Sequence, residues 1–539
     1  MCAMTSVAGG SVTPVAGGSV TPVAGGSVTP VAVGLAPLQP ADVVAVARHG
    51  VQVRLTDEAV AAMTESRTHI EALAASSTPA YGVSTGFGAL ANRHIPAELR
   101  AALQRSLIRS HAASSGDDVE RAVVRALMVL RLRTLATGRT GIHPQTARTL
   151  AALINAGITP VVREYGSLGC SGDLAPLSHV ALALMGEGEV RDCEGVRQTA
   201  AAALAAAGIS PVELAAKEGL ALINGTDGML GMLLLACHDL AELLQVADVC
   251  AAMSVEALLG TDRVFAADLL ALRSQPGQQT AAANMRKLLA DSPIMESHRG
   301  PDCTLVQDAY SLRCAPQVAG AARDTVAYAL SVAANELDSV IDNPAVLPDG
   351  RVESNGNFHG APVGYVLDFL AIATADVASI SERRTDRMLD VHRSHGLPPF
   401  LAHDPGVDSG HMIAHYTQAA IVSELKRLAV PASVDSIPTS AMQEDHVSMG
   451  WSAGRKLHKA IDGLRQVLAI ELLTAARALD LRSPLVPGPA ARAVVAALRQ
   501  SVPTVGPDRW LAPEIDAAVA AVADRRLLTA AESVTGPLA

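Results

Sequence analysis

Leu457-His458-Lys459-Ala460-Ile461-Asp462-Gly463-Leu464-Arg465-Gln466-Val467-Leu468-Ala469-Ile470-Glu471-Leu472 sets Leu457, Ile461, Leu464, Leu468 and Leu472 three or four residues apart. That spacing places five large apolar side chains on one face of a helix, which must be buried against other elements. The helix is predicted to begin near Val447. Further long helical stretches are predicted at about 228–260, 317–341, 361–393 and 411–429, with shorter ones at about 96–114, 118–137 and 144–156. Thr56 is a plausible N-cap for another, through Ala59, Met63, His69 and Leu73. Period-two strands are nearly absent. The expected fold class is mainly α, with long antiparallel helices packed as a bundle-like core.

Composition agrees. Of 539 residues, 49% are hydrophobic, 18% charged and only 2% aromatic, and the apolar material is chiefly Ala, Leu and Val. Such a chain supplies a large helical core. The net charge of −11 and the lack of a long basic run argue against nucleic acid as a partner. The seven cysteines have no Cys-x-x-Cys spacing, and the sixteen histidines form no His-x-x-x-His pair beside a ligand carboxylate. A disulfide framework and a metal site are therefore not expected. The most apolar run, Met229 to Cys237, is too short to cross a membrane, and no signal peptide is seen, so a cytoplasmic location is expected.

Four segments are expected. Residues 1–38 read as a disordered tail, because Ser11-Val12-Thr13-Pro14-Val15-Ala16-Gly17-Gly18 recurs at Ser19 and, in part, at Ser27. Residues 39–226 form a helical and loop-rich region, 227–480 the long-helix bundle, and 481–539 a C-terminal helical region.

The stretch with the most unusual chemistry is Gly166-Ser167-Leu168-Gly169-Cys170-Ser171-Gly172-Asp173-Leu174-Ala175-Pro176-Leu177-Ser178-His179. No Gly-Lys-Ser/Thr follows the glycines, so a phosphate loop is disfavoured. Ser171 is followed directly by Gly172, which does not match the Gly-x-Ser-x-Gly elbow of hydrolases. A tight turn of small residues does permit backbone chemistry. Attack of the Gly172 amide nitrogen on the Cys170 carbonyl carbon closes a five-membered ring. Loss of two waters, one carrying the Ser171 hydroxyl, leaves a methylidene-imidazolone, an electrophile that no side chain supplies.

This loop resembles the prosthetic-group loop of the aromatic amino-acid ammonia-lyases and aminomutases. The similarity runs from about Ala41 to the C-terminus and is greatest to the actinobacterial, histidine-specific branch, which is similar in having Cys where the wider family has Ala. The resemblance implies a mainly α fold of the ammonia-lyase/fumarase-like type, assembled as a homotetramer with active sites shared between subunits. It also implies a 4-methylidene-imidazol-5-one made autocatalytically from Cys170, Ser171 and Gly172, with no external cofactor.

Other motifs acquire roles through the same resemblance. Tyr81, in Tyr81-Gly82-Val83-Ser84-Thr85-Gly86-Phe87-Gly88, is the candidate general base on a mobile inner loop. Asn224, in Ile223-Asn224-Gly225-Thr226, would hydrogen-bond the ring oxygen, though Asn-Gly is also a plain turn signal. His111, at the end of Arg105–His111, would contact the substrate ring. Phe358, in Asn355-Gly356-Asn357-Phe358-His359-Gly360, would line the site. Gln307, Tyr310 and Arg313 stand three residues apart, a spacing that puts them on one side of a helical turn. Arg313 would clamp an α-carboxylate, completed by Tyr310 and Gln307. Glu444, in Gln443-Glu444-Asp445-His446, resembles the histidine-specific form of its motif, where phenylalanine and tyrosine lyases tend to have Gln. A carboxylate there suits an imidazole N–H and is left unpaired by an apolar ring.

The expected activity is thus elimination of ammonia from L-histidine to give trans-urocanate, the first step of histidine degradation. The alternatives are a tyrosine or phenylalanine lyase or aminomutase on the same scaffold, and a catalytically silent oligomeric homologue. Two departures stand out: Met442 replaces a common Asn, and His415 stands where Gln is usual, for which packing is the expected role.

Overall fold

The computed structural model describes residues 29–76, 79–300 and 306–539. Two short strands, β1 (Val31–Val33) and β2 (Val53–Leu55), pair in parallel, Val31 opposite Val53. The helices that build or border the site are α1 (Asp57–Ala75), α2 (Arg100–His111), α3 (Arg121–Ala136), α4 (Leu174–Leu184), α5 (Asp227–Ala257), α6 (Ala315–Asp338), α7 (Ala361–Leu389), α8 (Met412–Leu428) and α9 (Gly450–Leu481). α5, α6, α7 and α9 pack on one another to form the bundle, α3 covers α5, and α8 lies along α7 and α9. The fold is mainly α, and the strands among the described residues are two to four residues long.

The helix ends follow local chemistry. Thr56 Oγ1 accepts the Ala59 N–H at 3.2 Å, capping α1. Leu457, Ile461, Leu464, Leu468 and Leu472 of α9 are all buried, and the helix starts at Gly450, three residues beyond the expected Val447. Polar groups inside the bundle are paired. Glu471 receives Arg384 Nη2 at 2.8 Å and Ser254 Oγ at 2.7 Å, tying α9 to α7 and α5. A buried carboxylate with this many donors is a register-fixing contact that is costly to break from one side.

Two expectations need correction. The tail does not run to residue 38. The last repeat copy supplies Val31-Ala32-Val33, whose edge accepts and donates: Val31 N–H reaches Gln52 O at 2.8 Å and Thr56 N–H reaches Val33 O at 3.0 Å. Val33 and Leu38 are buried. The repeat up to residue 28 lies outside the described residues. The run Met229–Cys237 is also not an isolated short segment. It belongs to the 31-residue α5, which with α7 is long and apolar enough to cross a membrane by length and composition. Most of that apolar surface is buried against the rest of the bundle.

Candidate active site

The loop Gly166–Asp173 is stitched between the starts of three helices. Leu168 O accepts Met449 N–H at 2.9 Å, and Gly169 O accepts Gly360 N–H at 3.0 Å and Ser448 Oγ–H at 2.7 Å. These contacts join the loop to the N-terminal ends of α7 and α9. At its far end Gly172 has φ +73°, and a Cβ there would lie 2.0 Å from Gly225 O. Only glycine fits, for backbone strain and for space. The neighbouring Asp173 N–H donates to the same Gly225 O at 2.8 Å.

Asp173 anchors this arrangement from below. Its Oδ2 accepts Gly228 and Met229 N–H, each at 2.9 Å, and its Oδ1 accepts Ser167 Oγ–H at 2.9 Å. It is a carboxylate docked on the N-terminus of α5, satisfying amides that have no partner within the helix. Burial, opposed chiefly by the Met229 amide, pushes its carboxyl up to about 7.

The segment at Asn224 is held by a buried arginine. Arg131 of α3 donates to Ala221 O at 3.1 Å and Asn224 O at 2.5 Å and pairs with Asp227, which Thr134 Oγ1 also reaches at 3.1 Å. Asn224 Nδ2 lies 3.4 Å from both Leu220 O and Asn343 O. Asn224 ends the Glu218–Ile223 helix with extended backbone, and Gly225 bridges to Gly172.

Cys170, Ser171 and Asn224 open on a cavity of about 1090 Å³, which is also lined by Tyr81, His111, Phe358 and Glu444. Tyr81 is half-buried, and its hydroxyl accepts Gly88 N–H at 3.3 Å. Its loop folds back on itself through Gly86 N–H to Arg93 O at 3.0 Å and Ile95 N–H to Ser84 O at 2.9 Å. His111 ends α2 as expected, and burial lowers its pKa, which keeps it neutral at neutral pH. Glu444 faces the Cys170–Ser171 turn: Oε1 accepts Ser171 Oγ–H at 2.9 Å and Oε2 accepts Cys170 Sγ–H at 3.2 Å.

The segment before Glu444 is strained. Ser440, Ala441 and Met442 have φ of 53°, 52° and 68°, a left-handed run that costs non-glycine residues of order 1 kcal/mol each. The turn lets Thr439 and Glu444 pair backbone to backbone, at 3.0 and 3.3 Å. Asn would tolerate this conformation better than Met442 does.

Gln307, Tyr310 and Arg313 do not line this cavity. Tyr310–Arg313 is a single helical turn, and Gln307 lies before it outside any helix, so the expected three-residue stripe is broken. Tyr310 is 70% exposed, and the Arg313 guanidinium stacks over its ring at 4.6 Å. His415 is likewise outside the cavity, donating from Nε2 to Glu382 at 2.6 Å. Asn343 and His359, not expected from the sequence, also line the cavity. Ser354 Oγ–H and Asn355 N–H both reach Asn343 Oδ1, at 3.1 and 2.9 Å. The Gly-Asn-Phe-His-Gly loop was the available signal for His359, whereas Asn343 had none. Cys170, Cys193, Cys237, Cys250 and Cys314 are free thiols.

A turn that admits only glycine after a serine, a tyrosine loop and a carboxylate bonded to that turn thus share one cavity. Residues 38–500 match the model of the aromatic amino acid lyases, and the chain belongs to that family. It is 64% identical to a histidine ammonia-lyase of Streptomyces avermitilis and to one of Streptomyces coelicolor, over 94% of this chain and 99% of each relative. Among solved structures, a tyrosine aminomutase from Streptomyces globisporus matches with a TM-score of 0.89 at 37% identity, covering 95% of this chain and 100% of that one. A histidine ammonia-lyase from Trypanosoma cruzi matches with a TM-score of 0.86 at 37% identity, covering 94% and 96%.

Proposed function

We propose that this chain eliminates ammonia from L-histidine to give trans-urocanate, using a 4-methylidene-imidazol-5-one made from its own Cys170, Ser171 and Gly172. The observation that carries the reading is Glu444: a carboxylate matched to an imidazole N–H stands 2.9 Å from the Ser171 hydroxyl, in one cavity with Tyr81 and His111. The loop fits the ring. Gly172 sits where a Cβ would strike Gly225, so its nitrogen is presented without a side chain, and Ser171 faces the cavity. When formed, the ring supplies an electrophile for the substrate amine.

The remaining roles fall to this chain's residues. Tyr81 takes the β-proton, and its loop excludes water. Asn224, held by Arg131, offers an amide donor beside Gly172. Glu444 and neutral His111 orient the imidazole, and Phe358 lines its bed. Arg313, with Tyr310 and Gln307, takes the α-carboxylate. Since these three lie outside the cavity of one chain, we assign them to the site of a neighbouring subunit in a homotetramer. Tyr365, Phe369 and Ile372 of α7 and Ile413 and Tyr416 of α8 leave an exposed apolar surface that supports such assembly.

Purified protein given L-histidine should release trans-urocanate, detected by its ultraviolet absorbance, with one ammonia per turnover. L-Tyrosine should be inert. Turnover of tyrosine without histidine would reject the substrate, and ammonia-free conversion to a β-amino acid would reject the reaction.

A further inference from the structure

Glu444 is the group that would choose the substrate, yet among the described residues no lysine or arginine pairs with it. Its oxygens are held by neutral donors. Oε1 accepts only the Ser171 hydroxyl, at 2.9 Å, whereas Oε2 accepts the Cys170 thiol at 3.2 Å and the Thr439 hydroxyl at 3.1 Å. Both oxygens are therefore capped in the unmodified chain, one of them by a group that maturation destroys.

Ring closure treats the two caps differently. One water carries away the Ser171 hydroxyl together with the hydrogen on Ser171 Cα. The other takes the Cys170 carbonyl oxygen with the Ser171 and Gly172 amide hydrogens. The Cys170 thiol takes no part. Oε1 thus loses its donor and Oε2 keeps both of its own.

We propose that Cys170 is a positioning residue for substrate selection: its thiol holds Glu444 Oε2, so that Oε1, uncovered when Ser171 loses its hydroxyl, is aimed at the imidazole N–H of the substrate. This rests on the function proposed above. Burial, and next the Glu444 carboxylate, push the Cys170 thiol up to about 12, so it stays an S–H donor throughout the neutral range. A thiol is a weak donor, but its acceptor here is charged, which strengthens the bond.

The test compares wild type, Cys170→Ala and Cys170→Ser. Intact mass comes first: all three should lose two waters, because closure does not use the side chain. In Cys170→Ala the KM for histidine should rise about fivefold, equivalent to about 1 kcal/mol, with a smaller change in kcat. Cys170→Ser, which restores a donor, should bring KM back toward wild type. A matured, active Cys170→Ala with unchanged KM would overturn the role of the thiol alone. So would a Cys170→Ser that behaves like Cys170→Ala. A wild type of full mass with no histidine turnover would overturn the proposed function, and this proposal with it.

Discussion

Gly172→Ala is the sharpest perturbation of the site. The new Cβ would meet Gly225 O at 2.0 Å, Gly225 C at 2.3 Å and Gly225 N at 2.4 Å. All three are backbone atoms, so no flexible side chain can yield. Holding alanine at φ +73° costs about 1 kcal/mol. Forced repacking of a tight contact adds about 1–3 kcal/mol. Displacing Gly225 also sacrifices the Asp173 N–H bond to its carbonyl, worth about 1 kcal/mol. The total of about 3–5 kcal/mol predicts a fall of several degrees in Tm. The same displacement moves the Gly172 nitrogen away from the Cys170 carbonyl, so the variant should keep its full mass. Thermal melting and intact mass check both halves. A Gly172→Ala protein that melts with wild type and still loses two waters would refute the view that this turn is built around a missing side chain.

Two further outcomes are expected. Glu444→Gln should lower kcat/KM for histidine by about 100-fold, the scale of a lost charge-assisted hydrogen bond, while the chain still loses both waters; steady-state kinetics beside intact mass check this. Folding should weaken in mild acid through His411, whose pKa burial and then Arg477 lower to about 3. The unfolded chain binds a proton below about pH 6.5 that the folded chain refuses until about pH 3, so stability falls as pH falls through that window. From pH 6.5 to 5 the loss is about 2 kcal/mol. His411→Gln should flatten that part of the Tm profile, and an unchanged slope would count against it.

The helical frame was largely legible in the sequence because its signal is local. α9 repeats Leu457, Ile461, Leu464, Leu468 and Leu472 within a few turns, and Thr56 caps α1 by bonding three residues on. β1 was not legible, since three residues carry no measurable period and its partner lies beyond a helix. The Cys-Ser-Gly turn was visible as a motif in the sequence, but its supports were not. Asp173 reaches Gly228 and Met229, and Glu444 reaches Ser171, across separations no local pattern encodes. Ser440, Ala441 and Met442 adopt left-handed backbone without a glycine to announce it. Gln307, Tyr310 and Arg313 followed a helical spacing, but only the last two share a helical turn, and none of the three lines the cavity of its own chain.

The chain is expected to rewrite Cys170-Ser171-Gly172 into its own electrophile. Intact mass spectrometry of wild type beside Ser171→Ala tests it most directly. The wild-type chain should fall short of its sequence mass by two waters, about 36 Da by covalent arithmetic, and Ser171→Ala, which has no hydroxyl to lose, should not show that deficit. A wild-type chain at full sequence mass would contradict the account.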